Sequence, residues 1–288
     1  WCILLCLAGT LFSQLSFGSF MKSVNGNLAA YSLTQSYLKT STQSIRMEHH
    51  TNAHLCPKKD VGEMAKNSSK SQSKEDQMLL QWFNGLCNGT YIEMGALDGL
   101  QFSNSYLFNK ELEWSGVLIE LSPRDYEKLK INRPNDMTIN AAVCDERKKI
   151  HYLTRKGRGA VEGIYEFMPE SFRNQWWPGV SLETPSNSIA EIDCIPMSDI
   201  LDESPYNYFD FYSLDVEGAE YEVLKSIDFD KYAFGILFVE ADEHNPRKNL
   251  AIRTFLESKG YTYMMEHERS YWFVNQDFSK IYKDLLHN

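Results

Sequence analysis

No Gly-x-Gly-x-x-Gly turn, Cys-x-x-Cys pair, internal repeat or excess of basic residues occurs in this sequence, and each absence removes a class of protein. A dinucleotide oxidoreductase uses the glycine turn to bring backbone N–H groups against a pyrophosphate, so an NAD-dependent enzyme is disfavoured. Six cysteines with no Cys/His cluster at ligand spacing give no reason to expect a structural zinc site. A net charge of −10 argues against a nucleic-acid surface, because binding to phosphates needs clustered Lys and Arg. A small or neutral substrate is the better expectation.

With 288 residues, 43% hydrophobic and 13% aromatic, the chain can bury one good-sized globular domain and carry extensions. It opens on Trp1 rather than Met, and no charge precedes Lys22. Residues 1–21 read as the remainder of a signal peptide or membrane anchor. Residues 22–74 are rich in Ser, Thr, Asn, Gln and Lys without periodicity and read as a flexible stem or linker. The folded domain is expected over 75–288. Cys2 and Cys6 lie in the leader; Cys56, Cys87, Cys144 and Cys194 can form disulfides in the secretory pathway, with the pairing open. Asn67-Ser68-Ser69 and Asn88-Gly89-Thr90 fit the N-glycosylation pattern, weak support for a lumenal protein.

From Glu75 the apolar spacing alternates between helix and strand. Met78, Leu79, Trp82, Phe83 and Leu86 suit a helix, Thr90–Met94 a strand, and Ser103-Asn104-Ser105 a cap before Tyr106, Leu107 and Phe108. Gly116–Ile119, Met137–Val143, Ile192–Met197, Tyr208–Leu214 and Gly235–Val239 read as further strands, with Tyr261–Met265 and Tyr271–Val274 as a closing hairpin. That rhythm predicts a parallel sheet covered on both faces. Residues 150–190, with Gly157, Gly159, Gly163, Tyr165, Phe167, Phe172, Trp176 and Trp177, interrupt it and read either as a lid over a substrate or as a satellite aromatic cluster.

Polar residues collect just after the expected strands, where ligands of open parallel sheets bind. The sequence Glu93-Met94-Gly95-Ala96-Leu97-Asp98-Gly99 has one acid in front of the turn and another inside it. Two carboxylates would repel a pyrophosphate but suit an amine, a sulfonium and ribose hydroxyls, which points to S-adenosylmethionine. About 20 residues further on, Glu120 ends the next strand, the distance at which such folds hold a ribose.

Tyr91–Gly99, Gly116–Pro123, Asn140-Ala141-Ala142 and above all Asp210–Glu220, with its Asp-Val-Glu-Gly-Ala-Glu turn, resemble the FkbM family of S-adenosylmethionine-dependent methyltransferases. The resemblance implies an α/β class I methyltransferase (Rossmann-like) fold: a doubly wound, mostly parallel seven-stranded sheet ending in an antiparallel hairpin. It also implies methyl transfer to oxygen, commonly a hydroxyl of a sugar or small metabolite. By the same resemblance Glu93, Gly95 and Gly99, with Asp98, line the methionine part of the donor, and Glu120 holds the ribose. Asn140, Ala141 and Ala142 lie near the adenine, and Asp215 and Glu217 face the reacting centre.

His244 reads either as a general base or as a solvated loop histidine. A divalent cation on Asp215, Asp242 and Asn245 is a lesser alternative. A catalytically silent partner protein that keeps the fold is the competing reading. The acceptor, small molecule or glycan, is left open. The expected location is the secretory pathway, with a membrane tether through the N-terminus as an option.

Overall fold

The computed structural model describes residues 53–154, 161–184, 186–241 and 245–282. The expected leader and most of the expected stem lie outside these residues, as do Gly157, Gly159, Asp242 and His244. Among the described residues no helix is long and apolar enough to cross a membrane.

The strands are β1 (His54–Leu55), β2 (Leu86–Cys87), β3 (Thr90–Met94), β4 (Ser115–Glu120), β5 (Met137–Asn140), β6 (Ala142–Val143), β7 (Lys148–Leu153), β8 (Gly163–Ile164), β9 (Ile189–Ile195), β10 (Tyr208–Leu214), β11 (Ala233–Glu240), β12 (Tyr261–His267) and β13 (Ser270–Asn275). The helices, numbered here in order, are α1 (Val61–Ser68), α2 (Glu75–Phe83), α3 (Tyr106–Leu112), α4 (Pro123–Asn132), α5 (Glu170–Trp176), α6 (Met197–Leu201), α7 (Glu220–Lys225), α8 (Pro246–Ser258) and α9 (Phe278–Ile281).

Seven strands form the main sheet in the order β12-β13-β11-β10-β3-β4-β5. The five from β5 to β11 are mutually parallel, and β13 enters antiparallel between β11 and β12. This is the mostly parallel, Rossmann-like sheet with a terminal hairpin that the sequence predicts. Strands β10 and β11 are buried at every position, as a sheet covered on both faces requires. Pro123 and Pro246 each occupy a first helical turn, behind the capping side chains of Ser122 and Asn245.

Register decides where function can sit. Met94 pairs with Ile119 on one side and Leu214 on the other, so β3, β4 and β10 end side by side. Glu93, Glu120 and Asp215 therefore share one edge of the sheet.

Three expectations need correction. Met137–Val143 is not one strand: it breaks at Ala141, and β6 leaves for a second, four-stranded sheet ordered β6-β9-β7-β8. Ile192–Ile195 belongs to that second sheet too, because β9 pairs antiparallel with β7 rather than joining the main one. A disulfide between Cys144 and Cys194, Cα atoms 5.9 Å apart, ties the ends of β6 and β9.

The third correction is the stem boundary. Residues 54–74 are folded onto the domain: β1 pairs with β2, Cys56 bonds Cys87, and α1 packs on α3. Leu86, read as helical, belongs to β2 instead. The Asp76 carboxylate gathers Ser69 Oγ, Lys70 N and both donors of Ser71, fixing a strap of polar chain that has no apolar face of its own.

Candidate active site

Glu93 is buried, and its carboxylate is filled from a loop ten residues away. Oε2 accepts from the hydroxyls of Ser103 (2.9 Å) and Ser105 (2.5 Å) and from Ser105 N (3.2 Å), while Oε1 accepts from Asn104 N (2.7 Å). Ser105 therefore starts α3 without capping it, its hydroxyl being spent on Glu93. Burial pushes the Glu93 carboxyl up, and the guanidinium of Arg133 and these donors hold it back. Asn104 also donates to Ser213 Oγ at 2.9 Å, and its own Oδ1 is buried without a partner at the cavity wall.

Gly95, at φ +84°, is obligatory: a Cβ there would lie 1.9 Å from the Asp215 carbonyl oxygen. Gly99 is required for another reason, since its Cβ would strike Arg133 Cγ at 2.6 Å. Asp98 accepts from Leu100 N and Gln101 N and so closes its own turn. Neither Asp98 nor Gly99 lines the cavity described below; they shape the turn rather than its contact surface.

Glu120, also buried, accepts from Leu97 N and Ser122 N, one to each oxygen, both at 2.7 Å. Each oxygen retains a lone pair. Desolvation, which outweighs these two donors, raises its carboxyl to about 7. Asn140 does not reach the cavity: its amide donates to the backbone carbonyls of Glu120 and Leu121, holding the end of β4. Ala141 and Ala142, with Val143, do line the cavity.

Asp215 follows β10 and is exposed at the cavity, with Glu217 half-buried beside it. Glu217 sits at φ +54° in the same turn. Desolvation first, then the charge of Glu220, lifts the Asp215 carboxyl; desolvation first, then the charge of Asp215, lifts that of Glu217. Asp215 does not cap α7. The turn is held by Glu220, whose Oε1 accepts from Val216 N (3.2 Å) and Gly218 N (3.0 Å) while Oε2 takes the Lys248 ammonium at 2.6 Å. Carboxylate oxygens of Asp215, Glu217 and Glu240 lie within 4.8 Å of one another, close enough to share a cation, but Glu240 already accepts from Arg269. Asn245, considered as a ligand in the sequence, spends its side chain capping α8.

These residues surround one cavity of about 310 Å³, at the lower end of the range for small-molecule sites. Glu93, Gly95, Glu120, Ala141, Ala142, Asp215 and Glu217 all line it. So do residues the sequence did not single out: Gln72 and Glu75 from the strap and start of α2, Ser213, Glu162, and Arg269 from the hairpin turn. The aromatic insertion divides its labour. Phe172 and Trp176 line the cavity, whereas Trp177 is buried against Leu153 and Met168 with its indole N–H on Val161 O. Arg269 is the one cation among the described residues of the lining, against the carboxylates of Glu75, Glu93, Glu120, Glu162, Asp215 and Glu217. Such a wall suits a ligand with ammonium, sulfonium and hydroxyl groups and repels a pyrophosphate.

A family model described as the methyltransferase FkbM domain matches residues 93–263. Comparison with curated proteins finds no match. Among solved structures, an FkbM methyltransferase from Methylobacillus flagellatus KT is similar at 14% identity and TM-score 0.39, over 65% of this chain and 43% of that one. A precorrin-6y C5,15-methyltransferase from Geobacter metallireducens GS-15 is similar at 14% identity and TM-score 0.33, over 65% and 79%. Aeropyrum pernix fibrillarin, with natively bound S-adenosyl-L-methionine, is similar at 11% identity and TM-score 0.33, over 65% and 67%. The chain thus spans less than half the length of the first of these.

Proposed function

This chain belongs to the FkbM family of S-adenosylmethionine-dependent methyltransferases, and on that premise we propose that it methylates a hydroxyl oxygen of a sugar, glycan or small polar metabolite. The observation that carries the reading is the meeting, in one cavity, of the Glu93–Gly95 turn, Glu120 and the paired carboxyls of Asp215 and Glu217.

The donor's needs match the wall. Gly95 lets the turn close against the Asp215 backbone at the cavity wall, and Glu93 Oε1, which accepts a single hydrogen bond, suits an ammonium. Glu120 keeps a lone pair on each oxygen for ribose hydroxyls, with Leu121 and Ala141–Val143 as an apolar bed for a base. Bound S-adenosylmethionine supplies a methyl group already activated by its positive sulfur. What is left to the protein is alignment and removal of one proton.

Asp215 and Glu217 are suited to that proton. Two neighbouring carboxyls, each raised by desolvation and by nearby carboxylate charge, ionise in sequence, which leaves a carboxylate basic enough to act near neutral pH. His244 remains the alternative base on sequence grounds. Phe172 and Trp176 offer flat apolar surface for an acceptor ring. The test is incubation of the protein with labelled methyl donor and panels of glycans, lipids and small polar metabolites, with mass analysis of the product. Transfer to a carbon or nitrogen atom alone would overturn the oxygen assignment.

The secretory location belongs to the same proposal. The disulfides Cys56–Cys87 and Cys144–Cys194 fit an oxidising compartment, and Asn67, of the first glycosylation pattern, is exposed on α1. A glycosidase-sensitive mass shift at Asn67 in a eukaryotic secretory host is expected, and reduced cysteines in the purified native protein would count against it.

A further inference from the structure

Arg133 ends α4 and does not line the cavity, yet its side chain is fully buried. All three guanidinium nitrogens are bonded. Nε donates to Asp136 at 3.0 Å, NH1 to Gly99 O at 3.2 Å and Ser103 Oγ at 3.3 Å, NH2 to Tyr91 OH at 2.6 Å and Ser105 Oγ at 3.0 Å. Its stem fills the space where a side chain on Gly99 would stand.

The direction of these bonds is informative. A serine hydroxyl has one proton to give and lone pairs to receive with. Ser103 and Ser105 each receive from Arg133 and give to Glu93, so two hydroxyls bridge the guanidinium and the carboxylate, each polarised between them. Tyr91 repeats the pattern on the other side, receiving from Arg133 and giving to Asp136 at 2.7 Å.

We infer that Arg133 is a positioning residue of the donor site: acting through Ser103 and Ser105, it holds Glu93 and the 103–105 loop in the arrangement that receives the donor's ammonium group. This rests on the reading of the cavity as an S-adenosylmethionine site. Arg133 also supplies the counter-charge that offsets the burial of Glu93. The other charged or titratable groups around Glu93 do not take that role. Tyr91 and Asp136 face Arg133, and Glu75, Glu120, Asp215 and Glu217 on the cavity wall are acids. Arg269, the remaining cation of that wall, is committed to Glu240.

The test is calorimetric binding of S-adenosylhomocysteine to the full chain and to Arg133→Met and Ser105→Ala, between about pH 6 and about pH 8. Arg133→Met is expected to bind about tenfold to a hundredfold more weakly near neutral pH, and Ser105→Ala several-fold more weakly. Without the guanidinium Glu93 keeps its proton to higher pH, so the affinity of Arg133→Met recovers as pH rises, while wild-type affinity changes less through the Glu93 titration. A merely structural loss would lower affinity equally at every pH. Wild-type affinity and profile in either folded variant would overturn the inference. If Arg133→Met does not fold, Ser105→Ala decides by the same criterion. Failure of the wild-type protein to bind at all would instead remove the donor-site reading on which the inference stands.

Discussion

Gly95 and Asp215 touch through their backbones: Asp215 N donates to the carbonyl of Met94, just before Gly95, and no side chain fits between Gly95 and the Asp215 carbonyl. The turn after β3 and the turn after β10 are therefore one packed unit. Gly95→Ala must adopt φ +84° and displace the Asp215 backbone, so a cost of about 1–3 kcal/mol is expected. A thermal melt lowered by several degrees, with weakened S-adenosylhomocysteine binding, is the measurement.

Asp215→Asn and Glu217→Gln keep shape and remove a base. Each is expected to reduce methyl transfer about 10²–10⁴-fold while leaving donor affinity within about threefold. Full transfer by both variants to the true acceptor would show the proton going elsewhere, and His244→Ala would then be the variant to examine.

Glu120 links stability to pH. In the fold its carboxyl is lifted to about 7 by burial, from an ordinary value of 4.5. Between those values the folded chain holds a proton that the unfolded chain has released. The contribution of this group therefore falls as pH rises through that window, by at most about 3 kcal/mol. Glu120→Gln should flatten the decline in Tm with pH. Ribose hydroxyls favour the ionised form, so donor binding near pH 7 should release protons, seen as binding enthalpy that differs between buffers of different ionisation heat. Equal enthalpies would count against the ribose contact.

The Glu220–Lys248 pair predicts non-additivity. Removing Lys248 strands the buried Glu220 carboxylate, at a cost of about 3–5 kcal/mol, while Glu220→Gln with Lys248→Met should cost less than the sum of the single changes. Denaturant melts of the four proteins measure this. Simple additivity would mean that the clamp on the Val216–Gly218 turn is not shared.

The Cys56–Cys87 bond closes a loop across residues 56–87, so Cys56→Ser with Cys87→Ser is expected to cost about 2–4 kcal/mol. Peptide mapping without reductant should recover both bridges.

The central sheet was legible because its strands are buried on both faces and read as apolar runs, Tyr208–Leu214 and Gly235–Val239 above all. Their alignment at one edge was legible too, since acids follow each run. The partner of a strand was not. Ile192–Ile195 has the composition of an extended segment, and nothing in that composition says that it pairs with Lys148–Leu153 in a separate sheet. Asp98, Gly99 and Asn140 stand at expected motif positions but act on backbone and on Arg133, a distinction that depends on side-chain direction. Arg133 itself reads in sequence as an ordinary charge at a helix end. The strap at residues 69–74 was missed because Asp76 fixes it through hydroxyl and backbone donors rather than through an apolar face.

The domain that defines the family begins at residue 93 and ends at residue 263, but Gln72, Glu75 and Arg269 all border the cavity. A chain trimmed to those bounds would lose part of the cavity wall. Substrate screens run on such a shortened protein would report on the cut, and comparisons confined to residues 93–263 would leave out side chains that border the cavity.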